Sequence, residues 1–495
     1  MSRQKIVFYF TPDYKVIDRD FKFKNFPKSY DLNKGLYKFD FDKNDQALIK
    51  SASCNSIKSA QESTATLDIA WIYDGEETKD IFFVDDYWEI WDEANDWCHF
   101  RGMVRNKPKA NTGKNKSVTL ELVNAGGWNF SDRSIFYINP ILAASFGPEK
   151  AVLFENIKSK YGLLGKHAAT EAVFTKYSSP NKYLDFMVND VCNPRISYIR
   201  SNYFDGSPAI KEITPEADQQ FTDRVILVSR QKSQVEGSIW DALKMWEGHP
   251  FCQLFISEGK SNTIIKWRYS RWRDSSGNLC LGDRAEDVNP IRIYADDREN
   301  IEDDEFKGVI SDNSSETSTG LYNAFFVSPG QTMKSTSSVV QQVSVDPNAQ
   351  QFILDEDSII RNGYNPQEVK LPFVPETIAG VSSSELENLK PPQIKKALSD
   401  RFKTVGDELL YYTKILKKMF VNYKGSRSGS LLLVNNLPIS ISKDIEYVER
   451  ELVSNEPTTT HMSLNKITQY FDPKSPRTVL EYSRGFKSVA LGYRD

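Results

Sequence analysis

The sequence predicts a β-rich α+β protein. Two small β-barrel domains are separated by an α/β domain, and a long helix lies in the C-terminal half. Three observations predict this. Aromatic residues, which favour strands, make up 12% of the chain. Short runs of alternating apolar and polar residues, bounded by turn residues, recur near both ends. Apolar residues at helical spacing fall instead in the middle and at 393–421.

Residues 1–130 read as the first barrel. Its clearest strand is Thr64 to Tyr73, where Leu67, Ile69, Trp71 and Tyr73 point one way and Thr66, Asp68 and Ala70 the other. Tyr87–Trp91 and Trp97–Val104 are further strands. In Val118–Val123, Val118, Leu120 and Leu122 alternate with Thr119 and Glu121. The polar, basic stretch 106–116 carries a Thr112-Gly113 turn, and Asn124-Ala125-Gly126-Gly127 closes the unit.

Residues 131–300 read as the α/β domain. Gly147-Pro148-Glu149 opens a helix, with Ala151, Phe154, Ile157 and Tyr161 inward and Gly162 past its end. Ser179-Pro180 opens a second, with Leu184, Met187, Val188 and Val191 inward. Glu236-Gly237-Ser238 opens a third, with Ile239, Leu243 and Trp246 inward and Gly248 as its stop. Strands follow at 251–256, 263–269 and 291–294.

Residues 301–495 read as the second barrel. Val309-Ile310 and Ala324–Val327 are strands. A Ser/Thr/Gln-rich loop and a Pro/Ser-rich linker make up an excursion over 328–392. In the helix at 393–421, Leu398, Phe402, Val405, Leu409, Tyr412, Leu416 and Phe420 keep one stripe over about 43 Å. Strands at 431–434, 437–441, 445–453 and 458–470 finish the chain, with an Asn435-Asn436 turn between the first two.

The remaining composition excludes several classes. With 495 residues, core size is not limiting. The 63 basic and 67 acidic side chains give a net charge of −4, which argues against bulk electrostatic binding to nucleic acid or an anionic membrane. The five cysteines, at 54, 98, 192, 252 and 280, form no C-x-x-C pair. They read as reduced thiols of a cytoplasmically made chain, not as a disulfide framework or a zinc ribbon. Met1–Lys5 followed by the short apolar run Ile6–Phe10 lacks the length of a signal peptide, and no window reaches the ~20 apolar residues of a membrane span.

No catalytic signature emerges, so no catalytic, cofactor-binding or metal residue is assigned. Gly425-Ser426-Arg427-Ser428-Gly429 has its serine displaced from the nucleophile-elbow position and reads as a turn. Gly162-Leu163-Leu164-Gly165-Lys166 is too short for a phosphate loop and reads as a helix end. Cys98-His99 is the only close Cys/His pair, and strand neighbours face opposite sides. The acidic stretch Asp296–Glu305 lacks a calcium-loop pattern and reads as a solvated face. Trp71, Trp88, Trp91 and Trp97 admit a sugar-binding platform or core packing. Trp71 shares a face with Leu67 and Ile69, which favours the core.

The order of three segments is more specific. The first runs from Ser51-Ala52-Ser53 through Ile72 as one long alternating strand, then Tyr87-Trp88-Glu89-Ile90-Trp91 and Phe100-Arg101-Gly102-Met103-Val104. The second joins Ser238-Ile239-Trp240-Asp241-Ala242-Leu243 to Pro250-Phe251-Cys252-Gln253-Leu254-Phe255. The third joins Ile310-Ser311-Asp312 to Tyr322-Asn323-Ala324-Phe325-Phe326-Val327. Gly429–Val434, Leu437-Pro438-Ile439, Ile445–Arg450 and Thr458-Thr459-Thr460 follow. In this order, from about Lys50 to Arg484, the chain resembles the central hub proteins of phage baseplates, related to the hub part of the type VI secretion spike. It departs from them at Gln253, where glutamate is usual, at Arg361-Asn362-Gly363-Tyr364, and over 330–351.

The resemblance implies structural work without enzyme activity or cofactor. Such hubs are homotrimers whose six barrels match the sixfold tail tube on one side and hold a threefold central spike on the other. It implies a place in the virion tail baseplate after synthesis in the host cytoplasm. The implied partners are tail tube and spike proteins, with tape measure and baseplate wedge proteins beside them. DNA would pass through the lumen without specific binding, with Asp296–Glu305 a candidate for its acidic lining; no membrane is implied. The alternatives are a hub of a non-viral contractile injection system and a surface glycan-binding or glycan-cleaving protein. The glycan reading requires exposed aromatics where the hub reading requires buried ones.

Overall fold

A computed structural model describes residues 4–14, 30–31, 36–41, 48–73, 75–107, 116–131, 180–217, 238–240, 243, 252–260, 262–269, 272–273, 279–281, 289–295, 305–306, 308–317, 323–330, 343–344, 351–375, 377–378, 426–450 and 457–484. The helix expected to open at Gly147-Pro148, the long helix at 393–421 and the acidic residues 296–304 lie outside them. Within them the protein is β-rich, with one large and mostly antiparallel sheet and few helices.

The N-terminal strands are β1 (Ile6–Thr11), β2 (Tyr30–Asp31), β3 (Leu36–Asp40), β4 (Ile49–Ile57), β5 (Thr64–Ala70), β6 (Ile72–Tyr73), β7 (Glu76–Glu77), β8 (Tyr87–Asp92), β9 (Trp97–Asn106) and β10 (Ser117–Val123). All but the β6–β7 pair join in the order β4-β5-β10-β9-β8-β1-β3-β2. The expected alternation places Leu67 and Ile69 of β5 and Val118, Leu120 and Leu122 of β10 in one core with Phe8, Phe10, Phe39 and Trp88. Trp71 and Tyr73 pack against that core from its edge.

Two expectations change here. The long strand from Ser51 through Ile72 is two antiparallel strands, with Ala52 opposite Leu67, because the Ser-rich stretch 58–63 turns the chain back. Ile6–Phe10, read only as an apolar run, is strand β1 between β3 and β8. Val7, Phe8, Tyr9 and Phe10 are all fully buried. A strand covered on both faces loses the period-two signal.

The middle of the chain holds α1 (Pro180–Asp185), a π-helical stretch Phe186–Cys192 and α2 (Asn193–Tyr203). It also holds β11 (Ile213–Ala217), β12 (Cys252–Glu258), β13 (Thr263–Tyr269), β14 (Trp272–Arg273) and β15 (Leu279–Leu281). The helix opens at Pro180 as expected, and Leu184, Met187 and Val188 are buried. Asn193, at the start of α2, fastens that helix to β11 by a reciprocal pair of 2.9 Å bonds with the Ile213 carbonyl and N–H. Ile239 and Leu243 of the third expected helix are buried; most of its other residues lie outside those described. β13 runs parallel to β11 and antiparallel to β12.

The C-terminal strands are β16 (Ile291–Tyr294), β17 (Glu305–Phe306), β18 (Val309–Asp312), β19 (Ser315–Thr317), β20 (Ala324–Gly330), β21 (Val343–Ser344), β22 (Gln351–Leu354), β23 (Pro366–Pro375), β24 (Thr377–Ile378), β25 (Ser426–Val434), β26 (Asp444–Arg450), β27 (Pro457–Phe471) and β28 (Arg477–Arg484). β17-β16-β26-β27 and β27-β28-β25 form a second run, with β18 and β19 on β25. β16 lies parallel to β26, Ile291 opposite Ile445, so it belongs with these strands in the hydrogen-bonded sheet. A second core gathers Ile293, Leu431, Leu433, Ile445, Met462 and Leu480, and Phe255 of β12 reaches into it.

Three local readings are corrected. The excursion 328–392 is not all loop: β20, β22 and β23 form a sheet, and the short helix α3 (Glu356–Asn362) follows β22. Asp355 caps α3 by accepting from the Ser358 N–H at 3.0 Å, and Gly363 ends it at φ 81°. Ser426–Gly429 is strand, not turn. Its glycine serves close approach: a Cβ on Gly429 would lie 2.5 Å from Ser314 Cα and 2.7 Å from the Asn313 carbonyl oxygen. Leu437–Ile441 is no strand although Leu437, Ile439 and Ile441 are buried. Its backbone is held by side chains instead: Thr478 Oγ1 accepts from the Leu437 N–H, and Gln469 Nε2 donates to the Leu437 carbonyl.

Candidate functional site

The two cores meet along one strand. β27 pairs with β26 through its first half and with β4 through its last six residues, Lys466 opposite Ile57 and Phe471 opposite Ala52. Its inward residues are Thr460, Met462 and Leu464, then Ile467, Gln469 and Phe471. The switch from even to odd numbers falls at Asn465, where the register slips against β28. One extra residue exchanges the faces of a strand. The bulge therefore lets one strand serve both cores: Met462, Leu464 and Ile467 fill the second, and Phe471 fills the first.

Buried charges pin this joint. Lys58 Nζ, at the end of β4, lies 3.2 Å from Asp444 Oδ1 at the start of β26, and their side chains are 1% and 10% exposed. It also donates to the Lys443 carbonyl at 3.2 Å. Arg268 of β13 donates from Nη2 to the Ser442 carbonyl at 2.7 Å, and its guanidinium lies 5.1 Å from the Phe255 ring centre.

Arg101 of β9 ties in the middle sheet. Glu89 accepts from Arg101 Nε at 3.2 Å, from the Tyr87 hydroxyl at 2.9 Å and from Trp91 Nε1 at 2.6 Å. Arg101 Nη1 lies 3.7 Å from Glu258 Oε2, and Nη2 donates to the Lys260 carbonyl at 2.8 Å. The Thr263 hydroxyl donates to Glu258 at 2.7 Å. Burial pushes the Glu258 carboxyl up to about 7, against Arg101 and Thr263, which favour its charge. This arrangement holds β8 and β9 together with β12 and β13.

The joint holds a small, partly open cavity of about 20 Å³, lined among others by Ser56, His99, Ser257, Glu258, Ser440 and Gln469. His99 is 5% exposed, edge-on to Phe471 with ring centres 5.2 Å apart. Burial alone pushes its pKa down to about 3. At Glu93 burial opposes ionisation, but hydrogen bonds from Lys38, Tyr9 and Lys5 outweigh it and hold the carboxyl at about 2. Both groups take up protons in the unfolded chain before the folded one does, so both remove stability as pH falls. For His99 the loss runs from about 6.5 down to about 3. The variant His99→Phe is therefore expected to lose less stability than the wild type over that interval, read as urea midpoints at each pH. An equal loss in both would show that His99 is not the titrating group.

Several residues singled out by sequence find structural places. Trp88 is fully buried and Trp91 is 6% exposed. Trp71 is half-buried, with the Lys79 and Lys116 ammonium groups 5.3 and 5.4 Å from its ring centre. Trp97 lines the cavity. Cys98 and His99 are both buried, and the Cys98 thiol donates to the Phe100 carbonyl at 3.5 Å. Arg101, in the first of the hub-like segments, faces Glu258, three residues past the second, and Trp240 of the second packs against Phe130 with ring centres 4.9 Å apart. In the third, Asp312 accepts from the Tyr482 hydroxyl at 2.9 Å. Sequence reasoning missed the pinning charges. Glu89 and Arg101 stood inside strands already read, and a charge among aromatic and apolar neighbours was their signal.

No family model matches the sequence, and no curated protein matches it. The fold is similar to that of several solved structures. One is the 43 kDa tail protein of prophage MuSo2 from Shewanella oneidensis, at 8% identity and a TM-score of 0.45, covering 98% of this chain and 99% of that one. Another is a tail protein from Neisseria meningitidis MC58, at 7% identity and a TM-score of 0.40, covering 88% and 92%. A third is the E. coli c3393 protein, at 5% identity and a TM-score of 0.32, covering 90% and 76%. That protein is described as a component of the type VI secretion system with structural similarity to the T4 bacteriophage tail proteins gp27 and gp5. The first two are described as tail proteins and the third by its similarity to phage tail proteins.

Proposed function

We propose that the chain is a structural hub of a phage tail baseplate. In this reading three copies form a ring that adapts the sixfold tail tube to a threefold central spike and encloses part of the DNA-ejection conduit. The observation that carries it is the joint: two β units, each with its own core, are hydrogen-bonded edge to edge through β4 and β27. Units fixed in this way give three chains six β units at constant spacing, the property a ring-closing adaptor needs. The division into a first barrel at 1–130, an α/β domain at 131–300 and a second barrel at 301–495 belongs to this reading. So do the tail tube, spike, tape measure and wedge proteins as partners, and the absence of catalysis by this chain.

Burial of Trp88 and Trp91 and the lysines over Trp71 count against the glycan-binding alternative. A hub of a contractile injection machine would rest on the same physics in a different carrier. Light scattering on the purified chain tests the ring. A mass of about 170 kDa, three times the 56.6 kDa chain, is expected. A chain that stays at 56.6 kDa when tail tube and spike proteins are added overturns the proposal.

A further inference from the structure

Two residues that line the cavity of the joint each carry a buried polar atom with no hydrogen-bond partner among the described residues: His99 Nε2 and Glu258 Oε1. Both side chains are more than nine-tenths buried, His99 at 5% and Glu258 at 7% exposure. Buried polar atoms are rarely left unsatisfied, and ordered water is the usual partner where protein supplies none. The cavity measures about 20 Å³, above the ~10–15 Å³ that one water requires. Its wall is also rich in rotatable hydroxyls: Ser257 Oγ and Ser440 Oγ lie 3.3 Å apart, and Ser440 Oγ lies 2.8 Å from Ser442 Oγ.

We propose that this cavity is a hydration site for one internal water, held by Glu258 Oε1 and His99 Nε2 and shared with the serine hydroxyls. The water joins three parts of the chain at one point: β9 through His99, β12 through Glu258, and the stretch before β26 through Ser440. A metal cation fits poorly. The one carboxylate at the cavity already faces the Arg101 guanidinium at 3.7 Å, and the imidazole is neutral. The groups facing Glu258 are Arg101 and Glu89 beyond it, the Tyr87 hydroxyl, the Cys98 thiol and His99. When Glu258 ionises, it turns from a donor to the water into an acceptor from it, so the site persists in both forms. This inference does not depend on the hub reading.

Crystal structures of the wild type and of Glu258→Leu, at a resolution that orders single waters, test it. One peak within hydrogen-bond distance of both Glu258 Oε1 and His99 Nε2 is expected in the wild type and is lost in Glu258→Leu. If Glu258→Leu does not fold, Glu258→Gln keeps a polar partner and is expected to retain the peak. An ordered joint with no peak in the wild type overturns the proposal. So does a peak bonded to neither atom, or one with the short contacts of a metal ion.

Discussion

Replacing Arg101 by leucine is expected to destabilise the protein by about 3–5 kcal/mol, the cost of breaking a buried ion pair by removing one partner. Arg101 is 3% exposed and stands between two carboxylates, Glu89 and Glu258. Without it both remain buried with no cation beside them, and the Lys260 carbonyl loses its donor. The loss should grow with pH. Glu258 already binds its proton up to about 7 in the folded chain, whereas an unfolded glutamate releases it near 4.5. Stability from this group is therefore present below about 4.5 and falls as pH rises through about 7, and removing the guanidinium extends that fall. The triple variant Arg101→Leu, Glu89→Leu, Glu258→Leu is expected to regain much of the loss, because no charge is then left buried. Urea unfolding followed by tryptophan fluorescence measures all three effects. A loss below ~1 kcal/mol for Arg101→Leu, in the range of an exposed pair, would show that Arg101 does not pin the joint.

Trp88→Ala carries the second large effect, about 3–5 kcal/mol for emptying an aromatic site in a core. The Trp88 ring is fully buried, with centres 4.8 Å from Phe10, 5.2 Å from Phe82 and 6.1 Å from Phe39. These three partners come from β1, β3 and the turn before β8, so the cavity cannot close by moving one strand. Trp71→Ala should cost far less, roughly 1 kcal/mol, because Trp71 lies at the rim of the same core under two lysines. Thermal melts of both variants test the contrast. A Trp88→Ala protein that melts like the wild type but loses affinity for a glycan would favour the platform reading over the core.

Much of the strand content was legible in local alternation. Thr263–Tyr269 and Ile291–Tyr294 end where the pattern places them, and β5 and β10 bury the faces their sequences mark. Where legibility failed, a physical reason is at hand. β1 is covered on both faces and reads as a plain apolar run. β25 carries Gly429 near its start because the strand there packs against the backbone at 313–314, where a Cβ would collide. β22 and β23 lie among Pro, Ser and Gln, and their pairing partner β20 stands upstream of the helix between them.

The candidate site divides in the same way. Glu89, Arg101, Gln253 and Phe255 all stood in segments singled out by sequence, yet nothing local told that Arg101 would face Glu258 or that Phe255 would enter the second core. Lys58 and Asp444 are 386 residues apart. Each reads alone as an ordinary surface charge.

By itself the sequence determined the β-rich class, the faces of β5 and β10 and the order of segments that resembles a tail hub. These follow from periodicity and side-chain chemistry, which act over a few residues. Only the tertiary structure decided that β4 pairs with β27, that a bulge at Asn465 lets one strand serve two cores, and that Lys58, Arg101 and Arg268 lock the parts together. A strand edge offers the same N–H and C=O groups to any partner, so the pairing is chosen by which faces and charges must be buried together. That choice exists only once the whole chain is folded.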